Sequence, residues 1–299
     1  MQGNYTALIT PFKKNLTIDY EAIKKLCLFQ VNNSSDGIVA LGSTAEASSL
    51  DIFEKHKTME TIVCSVENKI PIIAGINAFT LEDALYQSKA RFLDGANALL
   101  ISPPPYIKPT EKGLKNYFLQ LADQSLIPII LYNIPSRTGT QISESLVTSL
   151  SNHPNIIGIK DAGGNIAYTQ NICASTINNN FSVFAGNDNQ LLPILSVGGT
   201  GIISVIGNII PKEIHQIVVN YNNNLRIEAK ENYFKYLELI NSLSVESNPI
   251  PVKYALSKLG VIKTYFRAPL CLPSAKNKRI LKSIINKYFT NIENNICVN

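Results

Sequence analysis

Metal-binding and redox-active side chains are scarce in this sequence, which has three histidines and five widely separated cysteines among 299 residues. His56, His153 and His215 are isolated, with no second histidine two or four positions away. This spacing argues against a histidine-based metal site and against a Ser-His-Asp hydrolase. The odd number of cysteines and the absence of a C-x-x-C pair argue against a disulfide framework or a zinc site, and fit a reducing cytoplasm.

Long apolar runs and strong net charge are also lacking. The longest apolar stretches, such as residues 201–210, fall short of the ~18 residues that a membrane span needs. The first residues lack the charged-then-apolar layout of a signal peptide. The net charge of +5 is mild and the lysines are scattered among acids, which argues against nucleic-acid binding. We therefore expect a cytoplasmic protein that has neither a membrane nor a nucleic acid as its partner.

Eight short β-rich runs are present, and each is followed by a helical pattern. This alternation is typical of a parallel α/β fold. Eight units in about 210 residues fit a closed (β/α)8 barrel. A doubly wound dinucleotide-binding sheet is less suitable, because no G-x-G-x-x-G follows the first run. The predicted strands are residues 4–12, 36–43, 70–76, 96–103, 127–134, 155–162, 182–187 and 200–207.

The last part of the chain is predicted to be helical. Residues 212–245, 251–259 and 275–288 have helical patterns, and the first of these closes the barrel. The three asparagines at 222–224 indicate a turn. We predict a barrel domain over residues 1–224 and a helical region over residues 225–299 that packs on the barrel.

The sixth predicted strand carries the most informative residue, Lys160. Ile156, Ile157, Gly158 and Ile159 form an apolar run that a parallel sheet would bury on both faces, and Lys160 stands at its carboxyl end. A buried ammonium is costly unless it is paired or loses its proton. Burial lowers the pKa of a lysine, and a neutral amine can attack a carbonyl to form a Schiff base. The alternatives are a lysine that extends to solvent or one that forms a salt bridge.

Other polar side chains also follow predicted strands, where barrel enzymes place their catalytic groups. The hydroxyls of Ser43 and Thr44 could hold a carboxylate, the Tyr132 phenol could move protons, and Arg137 could bind a second carboxylate. Each has a structural alternative. Thr44 could cap the next helix, Tyr132 could be a core residue, and Arg137 could lie in a surface turn. Tyr106, in a proline-rich loop, could serve packing or contact another subunit.

Several sequence blocks resemble one enzyme family from end to end. The sequence is similar to the pyruvate-dependent class I aldolases related to N-acetylneuraminate lyase, and among these to the dihydrodipicolinate synthases. The similar blocks occur in the family's order along the chain. They are GSTAEASSL, PPPYIKPTEKGL, YNIPSRTG, GIKDAGGN, AGNDN, GGTGIISV and NPIPVKYAL.

The resemblance implies a reaction and a role for each site residue. Lys160 would form a Schiff base with pyruvate, and the resulting enamine would attack aspartate 4-semialdehyde. No metal or cofactor would be needed, and the enzyme would be a homotetramer built from tight dimers. Tyr132, Thr44 and Tyr106 would form a proton relay, with Tyr106 supplied by a neighbouring subunit. Ser43 and Thr44 would hold the pyruvate carboxylate, and Arg137 would bind the carboxylate of the semialdehyde. Gly186 and the Ile203 carbonyl would border the pocket.

Two other functions remain open at this stage. A related aldolase could act on a sialic acid or a 2-keto-3-deoxy sugar acid, although Arg137 argues against a neutral sugar chain. A non-catalytic barrel could bind a keto acid, although a binding protein needs no proton relay.

The sequence also departs from the family's pattern. Ala45 stands where the family usually has glycine, and Pro105 stands where lysine-inhibited members have tyrosine. Ile52, Lys55 and Phe79 replace other residues that commonly line the inhibitory lysine site. We therefore predict weak or absent feedback by lysine.

Overall fold

The computed structural model describes residues 1–289, in which eight parallel strands form a closed barrel in the order β1 to β8, with β8 paired to β1. The predicted (β/α)8 barrel is confirmed. Each strand is shorter than predicted, because the apolar runs continue into the loops beyond the hydrogen-bonded ladder. The strands are β1 (Gly3–Ala7), β2 (Gly37–Ala40), β3 (Ile72–Ile76), β4 (Ala98–Ile101), β5 (Ile129–Asn133), β6 (Ile156–Asp161), β7 (Ser182–Ala185) and β8 (Gly201–Ser204).

Helices follow the strands and cover the outside of the barrel. Side-chain caps set several of their first residues; Thr80, for example, accepts a hydrogen bond from the Asp83 backbone N–H. The helices are α1 (Tyr20–Asn32), α2 (Ile52–Val66), α3 (Leu81–Leu93), α4 (Glu111–Gln124), α5 (Pro135–Thr138), α6 (Glu144–Leu150), α7 (Ile166–Ser175), α8 (Leu191–Ser196), α9 (Pro211–Asn222), α10 (Arg226–Ser242), α11 (Ile250–Lys258) and α12 (Ala275–Phe289).

The helical pattern over residues 212–245 belongs to two helices, so its treatment as one helix was wrong. The chain turns between α9 and α10, where Asn224 has a φ of 62°. This is the predicted asparagine turn, and asparagine tolerates the left-handed conformation better than most residues. The predicted helices at 251–259 and 275–288 correspond to α11 and α12. The division into domains at residues 224 and 225 stays a prediction, and Cys297 lies outside the described residues.

The apolar core has two layers. Inside the barrel, side chains from alternate strand positions fill the centre, and Tyr5 meets Phe184 edge to face with ring centroids 5.5 Å apart. A larger outer layer lies between the strands and the surrounding helices. Because apolar side chains fill the centre of the barrel, the space for polar side chains at the barrel axis lies at the carboxyl ends of the strands. Within residues 1–289, every helix is too short or too polar to serve as a membrane span.

Candidate active site

A cavity of about 520 Å³ opens at the carboxyl ends of the strands. Six of the eight predicted site residues line it: Ser43, Thr44, Tyr132, Arg137, Lys160 and Gly186. They come from β2, β5, β6 and β7 or from the loops that follow these strands. The closed barrel is what brings together residues that are more than 140 positions apart in sequence.

Lys160 lies at the bottom of this cavity. It is buried, with 4% of its surface exposed, and it pairs with Tyr132 across β5 and β6. The Lys160 Nζ lies 4.4 Å from the centroid of the Tyr132 ring. No carboxylate of the described residues lies within ion-pair distance of this amine. The structure therefore has a buried lysine without a salt bridge, and neither structural alternative for Lys160 is observed.

Asp161, the next residue, fixes the end of β6. Its carboxylate accepts hydrogen bonds from Asn133 Nδ2 at 2.8 Å, from Thr169 Oγ1 at 2.6 Å and from the Gly163 N–H at 2.9 Å. Asp161 points away from the cavity because side chains alternate along a strand. The network ties β6 to β5 and α7, and so holds the backbone that carries Lys160.

Ser43 and Thr44 lie in a single 3-10 turn after β2. Glu46 ends this turn in the left-handed conformation, with φ 54° and ψ 32°, and its N–H donates to the Ser43 carbonyl. The proposal that Thr44 caps the next helix is wrong, because α2 begins after Asp51, whose side chain forms a capping box with Glu54. The Thr44 hydroxyl instead accepts a hydrogen bond from Asn248 Nδ2 at 2.9 Å.

Arg137 lies in the short helix α5, which follows β5. Pro135 begins this helix and Gly139 ends it with a φ of 72°. The Arg137 Nη2 donates to the Asn248 carbonyl at 2.8 Å, and the side chain remains exposed at the cavity. Its guanidinium is thus anchored on one side and retains further N–H groups for a carboxylate.

Two predicted site residues do not line the cavity in this chain. Tyr106 has a φ of 77° and is 88% exposed, so it does not serve packing within the chain. Ile203 is fully buried in the inner layer of the barrel, on β8. The roles predicted for both residues stay predictions.

Gly186 borders the cavity where β7 ends. Its N–H donates to the Asp161 carbonyl at 2.7 Å. A Cβ at this position would lie 2.7 Å from both the Asp161 carbonyl oxygen and the Ala162 Cβ. Glycine is therefore required for the close approach of β7 to the end of β6.

Two residues of the site received no role in the sequence analysis. The first is Asp188, which follows β7 and accepts hydrogen bonds from Ser204 Oγ at 2.5 Å and from two backbone N–H groups after β8. Burial raises the pKa of Asp188, while these hydrogen bonds and the nearby Lys160 oppose the shift. Its position after a strand was the available signal, but nothing in the sequence indicated its partners.

The second is Asn248, which opens the NPIPVKYAL block. It lines the cavity and contacts both Thr44 and Arg137. It lies beyond the eighth strand, in the connection between α10 and α11, and the rule that places catalytic residues after strands could not find it. Within residues 1–289, no three of the His, Cys, Asp and Glu side chains are grouped as a metal site would require.

Comparison with known proteins places this geometry in a family. The model of the dihydrodipicolinate synthetase family matches residues 1–288. The 4-hydroxy-tetrahydrodipicolinate synthase of Caldicellulosiruptor saccharolyticus is 39% identical over 292 residues, which cover 98% of this chain and 98% of that protein. The crystal structure of dihydrodipicolinate synthase from Aquifex aeolicus has a TM-score of 0.93 and 35% identity, and covers 98% of this chain and 100% of that one.

A second similar structure is described as a monomeric dihydrodipicolinate synthase variant, with a TM-score of 0.93, 32% identity and 96% of each chain covered. The parallel barrel, with a buried amine at the end of β6 and a phenol beside it, is that of a class I aldolase-type lyase. The chain belongs to the dihydrodipicolinate synthetase family. The predicted family and enzyme class are confirmed.

Proposed function

We propose that the chain condenses pyruvate with L-aspartate 4-semialdehyde to give 4-hydroxy-tetrahydrodipicolinate, a step toward lysine and diaminopimelate. The observation that carries this proposal is the buried, unpaired Lys160 against the Tyr132 ring, at the base of a cavity open to solvent. A buried amine that lines a cavity can meet a carbonyl substrate there and form a Schiff base with it.

The first half of the reaction uses Lys160. Its Nζ adds to the ketone carbon of pyruvate, water leaves, and an iminium forms. The iminium nitrogen withdraws electrons, so the methyl group loses a proton and an enamine results. The Ser43–Thr44 turn would hold the pyruvate carboxylate with hydroxyl and N–H donors.

The second half forms the carbon–carbon bond. The enamine carbon attacks the aldehyde carbon, and the aldehyde oxygen takes a proton from the relay through Tyr132 and Thr44. The amino group of the adduct then attacks the imine carbon, closes the ring and releases Lys160 as a free amine. Arg137 would hold the carboxylate of the semialdehyde.

The proposal includes an oligomer because of the position of Tyr106. This residue is 88% exposed and lies outside the cavity of its own chain, so it would complete the relay of a neighbouring subunit. We propose a homotetramer built from tight dimers, acting in the cytoplasm. Ile203 would contribute its carbonyl to the border of the pocket.

The test is pyruvate-dependent consumption of aspartate 4-semialdehyde, with borohydride trapping of the imine. We expect Lys160→Ala to lose both turnover and trapping. Arg137→Ala should retain trapping but lose turnover at ordinary semialdehyde concentrations. Lys112→Ala, which removes an exposed lysine of α4, is the matched control and should behave as the wild type.

Failure of the folded wild type to consume the semialdehyde would overturn the proposal. Trapping without such consumption would instead favour the related aldolase of sialic or sugar acids, and cleavage of those substrates would then be assayed. Absence of both trapping and turnover would favour the keto-acid-binding barrel.

A further inference from the structure

Asn248 connects the two halves of the proposed site. Its side-chain Nδ2 donates to the Thr44 hydroxyl at 2.9 Å, and its backbone carbonyl accepts from Arg137 Nη2 at 2.8 Å. Thr44 belongs to the pyruvate side of the site and Arg137 to the semialdehyde side. One residue outside the barrel strands therefore contacts a group on each side.

The bond to Thr44 fixes the direction in which that hydroxyl can give its proton. A hydroxyl has one donor and two acceptor positions, and an amide N–H can only donate. Because Thr44 Oγ1 accepts from Asn248, its own O–H remains available to donate elsewhere. Thr44 lines the cavity, so the available donor can serve a group within it.

The segment that carries Asn248 is anchored to the same turn at a second point. Lys253, in α11, donates from Nζ to Glu46 Oε1 at 2.5 Å, and both side chains are almost fully buried. Glu46 is the residue that ends the turn of Ser43 and Thr44. The Lys253 ammonium also lies over the Phe12 ring, 4.4 Å from its centroid. Residues 248–253 thus contact this turn at two points, Thr44 in its middle and Glu46 at its end.

We propose that Asn248 is a positioning residue that keeps the Thr44 hydroxyl as a proton donor toward the cavity and the Arg137 guanidinium at its entrance. It acts through these two residues on both substrates. This inference rests on the proposed function, because it assigns Thr44 to the proton relay of that reaction.

Asn248→Asp tests the proposal most sharply. The substitution replaces the amide donor with an acceptor of the same shape, which would draw the Thr44 proton toward residue 248 and away from the cavity. The backbone carbonyl that Arg137 uses is unchanged. We expect kcat to fall by about 100-fold, at the lower end of the range for loss of acid–base assistance. KM for the semialdehyde should stay within about threefold, and borohydride trapping of pyruvate should persist.

A double-mutant cycle distinguishes an effect of Asn248 that is transmitted through Thr44 from a general disturbance of the site. If Asn248 acts through this hydroxyl, Asn248→Asp combined with Thr44→Val should lose no more activity than Thr44→Val alone. The cycle is repeated with Asn248→Ser in case the aspartate variant does not fold. Asn116→Asp, at an exposed position of α4, is the control for the added charge.

Two results would overturn the inference while leaving the proposed function intact. One is a folded Asn248→Asp enzyme with wild-type kcat. The other is a cycle in which the two losses multiply, because the residues would then act independently. Absence of turnover in the wild type is a failure of the proposed function itself and is seen before any variant is made.

Discussion

Lys160 and Tyr132 are register partners on β6 and β5, and the Lys160 Nζ lies 4.4 Å from the centroid of the Tyr132 ring. The ring covers one side of the amine, and Tyr132 also lines the cavity, where its hydroxyl is proposed to act. Packing and proton transfer therefore belong to different parts of the same side chain and can be separated by substitution.

Tyr132→Phe keeps the ring and removes the hydroxyl. We expect kcat to fall by about 10²–10⁴-fold, which is the usual contribution of a positioned acid or base to the rate. Thermal stability should change little. Steady-state kinetics and a melting curve check this. Tyr132→Ala is the comparison and should also lose stability, since it removes the ring. A phenylalanine variant with normal turnover would exclude Tyr132 from the relay.

Gly186→Ala should disturb the Lys160 region by steric conflict. The added methyl would meet the Asp161 carbonyl oxygen and the Ala162 Cβ at 2.7 Å, so the end of β6 must shift. We expect a loss of about 1–3 kcal/mol in the free energy of unfolding and weaker trapping of pyruvate. Gly113→Ala on exposed α4, where the nearest atom would lie at 3.4 Å, is the control and should be neutral or stabilising. Equal behaviour of the two variants in urea unfolding would contradict the prediction.

Glu46 and Lys253 form a buried pair. The free energy of unfolding should fall more when only Lys253 is replaced than when both residues are replaced. Lys253→Met leaves the Glu46 carboxylate buried without its partner, and we expect a loss of about 3–5 kcal/mol in the free energy of unfolding. Lys253→Met with Glu46→Gln removes both charges and should recover part of that loss. Urea denaturation measures each step. A double variant less stable than Lys253→Met would argue against a coupled pair.

The pair of Glu54 and Arg267 predicts a dependence of stability on pH. Hydrogen bonding to Arg267 lowers the pKa of Glu54 below its ordinary 4.5, so the folded state favours the carboxylate more than the unfolded state does. The resulting stabilisation is complete above that ordinary value and is lost as pH falls through the folded-state pKa. The melting temperature of Glu54→Gln should therefore lie below that of the wild type at pH 7 and approach it in acid.

The control for that experiment is Glu238→Gln, which breaks an exposed ion pair with Lys287. Exposed pairs contribute about 0–1 kcal/mol, so its melting curve should follow the wild type at every pH. A gap between Glu54→Gln and the wild type that stays constant down to pH 3 would show that charge is not its cause.

Insensitivity to lysine is the remaining prediction. Phe79 and Ile52 are exposed and Lys55 is half-buried, and these are the residues that depart from the pattern expected of an inhibitory lysine site. Pro105 likewise offers no hydroxyl before Tyr106. Turnover should be unaffected by submillimolar lysine in the standard assay. Half-maximal inhibition in that range would contradict this prediction.

The barrel, and most of the polar side chains at the carboxyl ends of its strands, could be predicted from the sequence alone. Apolar runs such as that before Lys160 mark strands buried on both faces, and the residue after each run must lie at the carboxyl end of the barrel. Local signals also placed helix starts, as with Thr80, because capping involves only neighbouring residues.

The contacts that these residues make depend on the tertiary fold and could not be predicted from the sequence. Asn248 lies 204 positions from Thr44 and 111 from Arg137, and no local pattern encodes a hydrogen bond across such separations. The same holds for Lys253 and Glu46, whose pairing depends on how α11 packs against the turn after β2. Periodicity and capping act over a few residues, so they predict elements; the positions of side chains from distant elements follow from the closure of the barrel and the packing of helices around it.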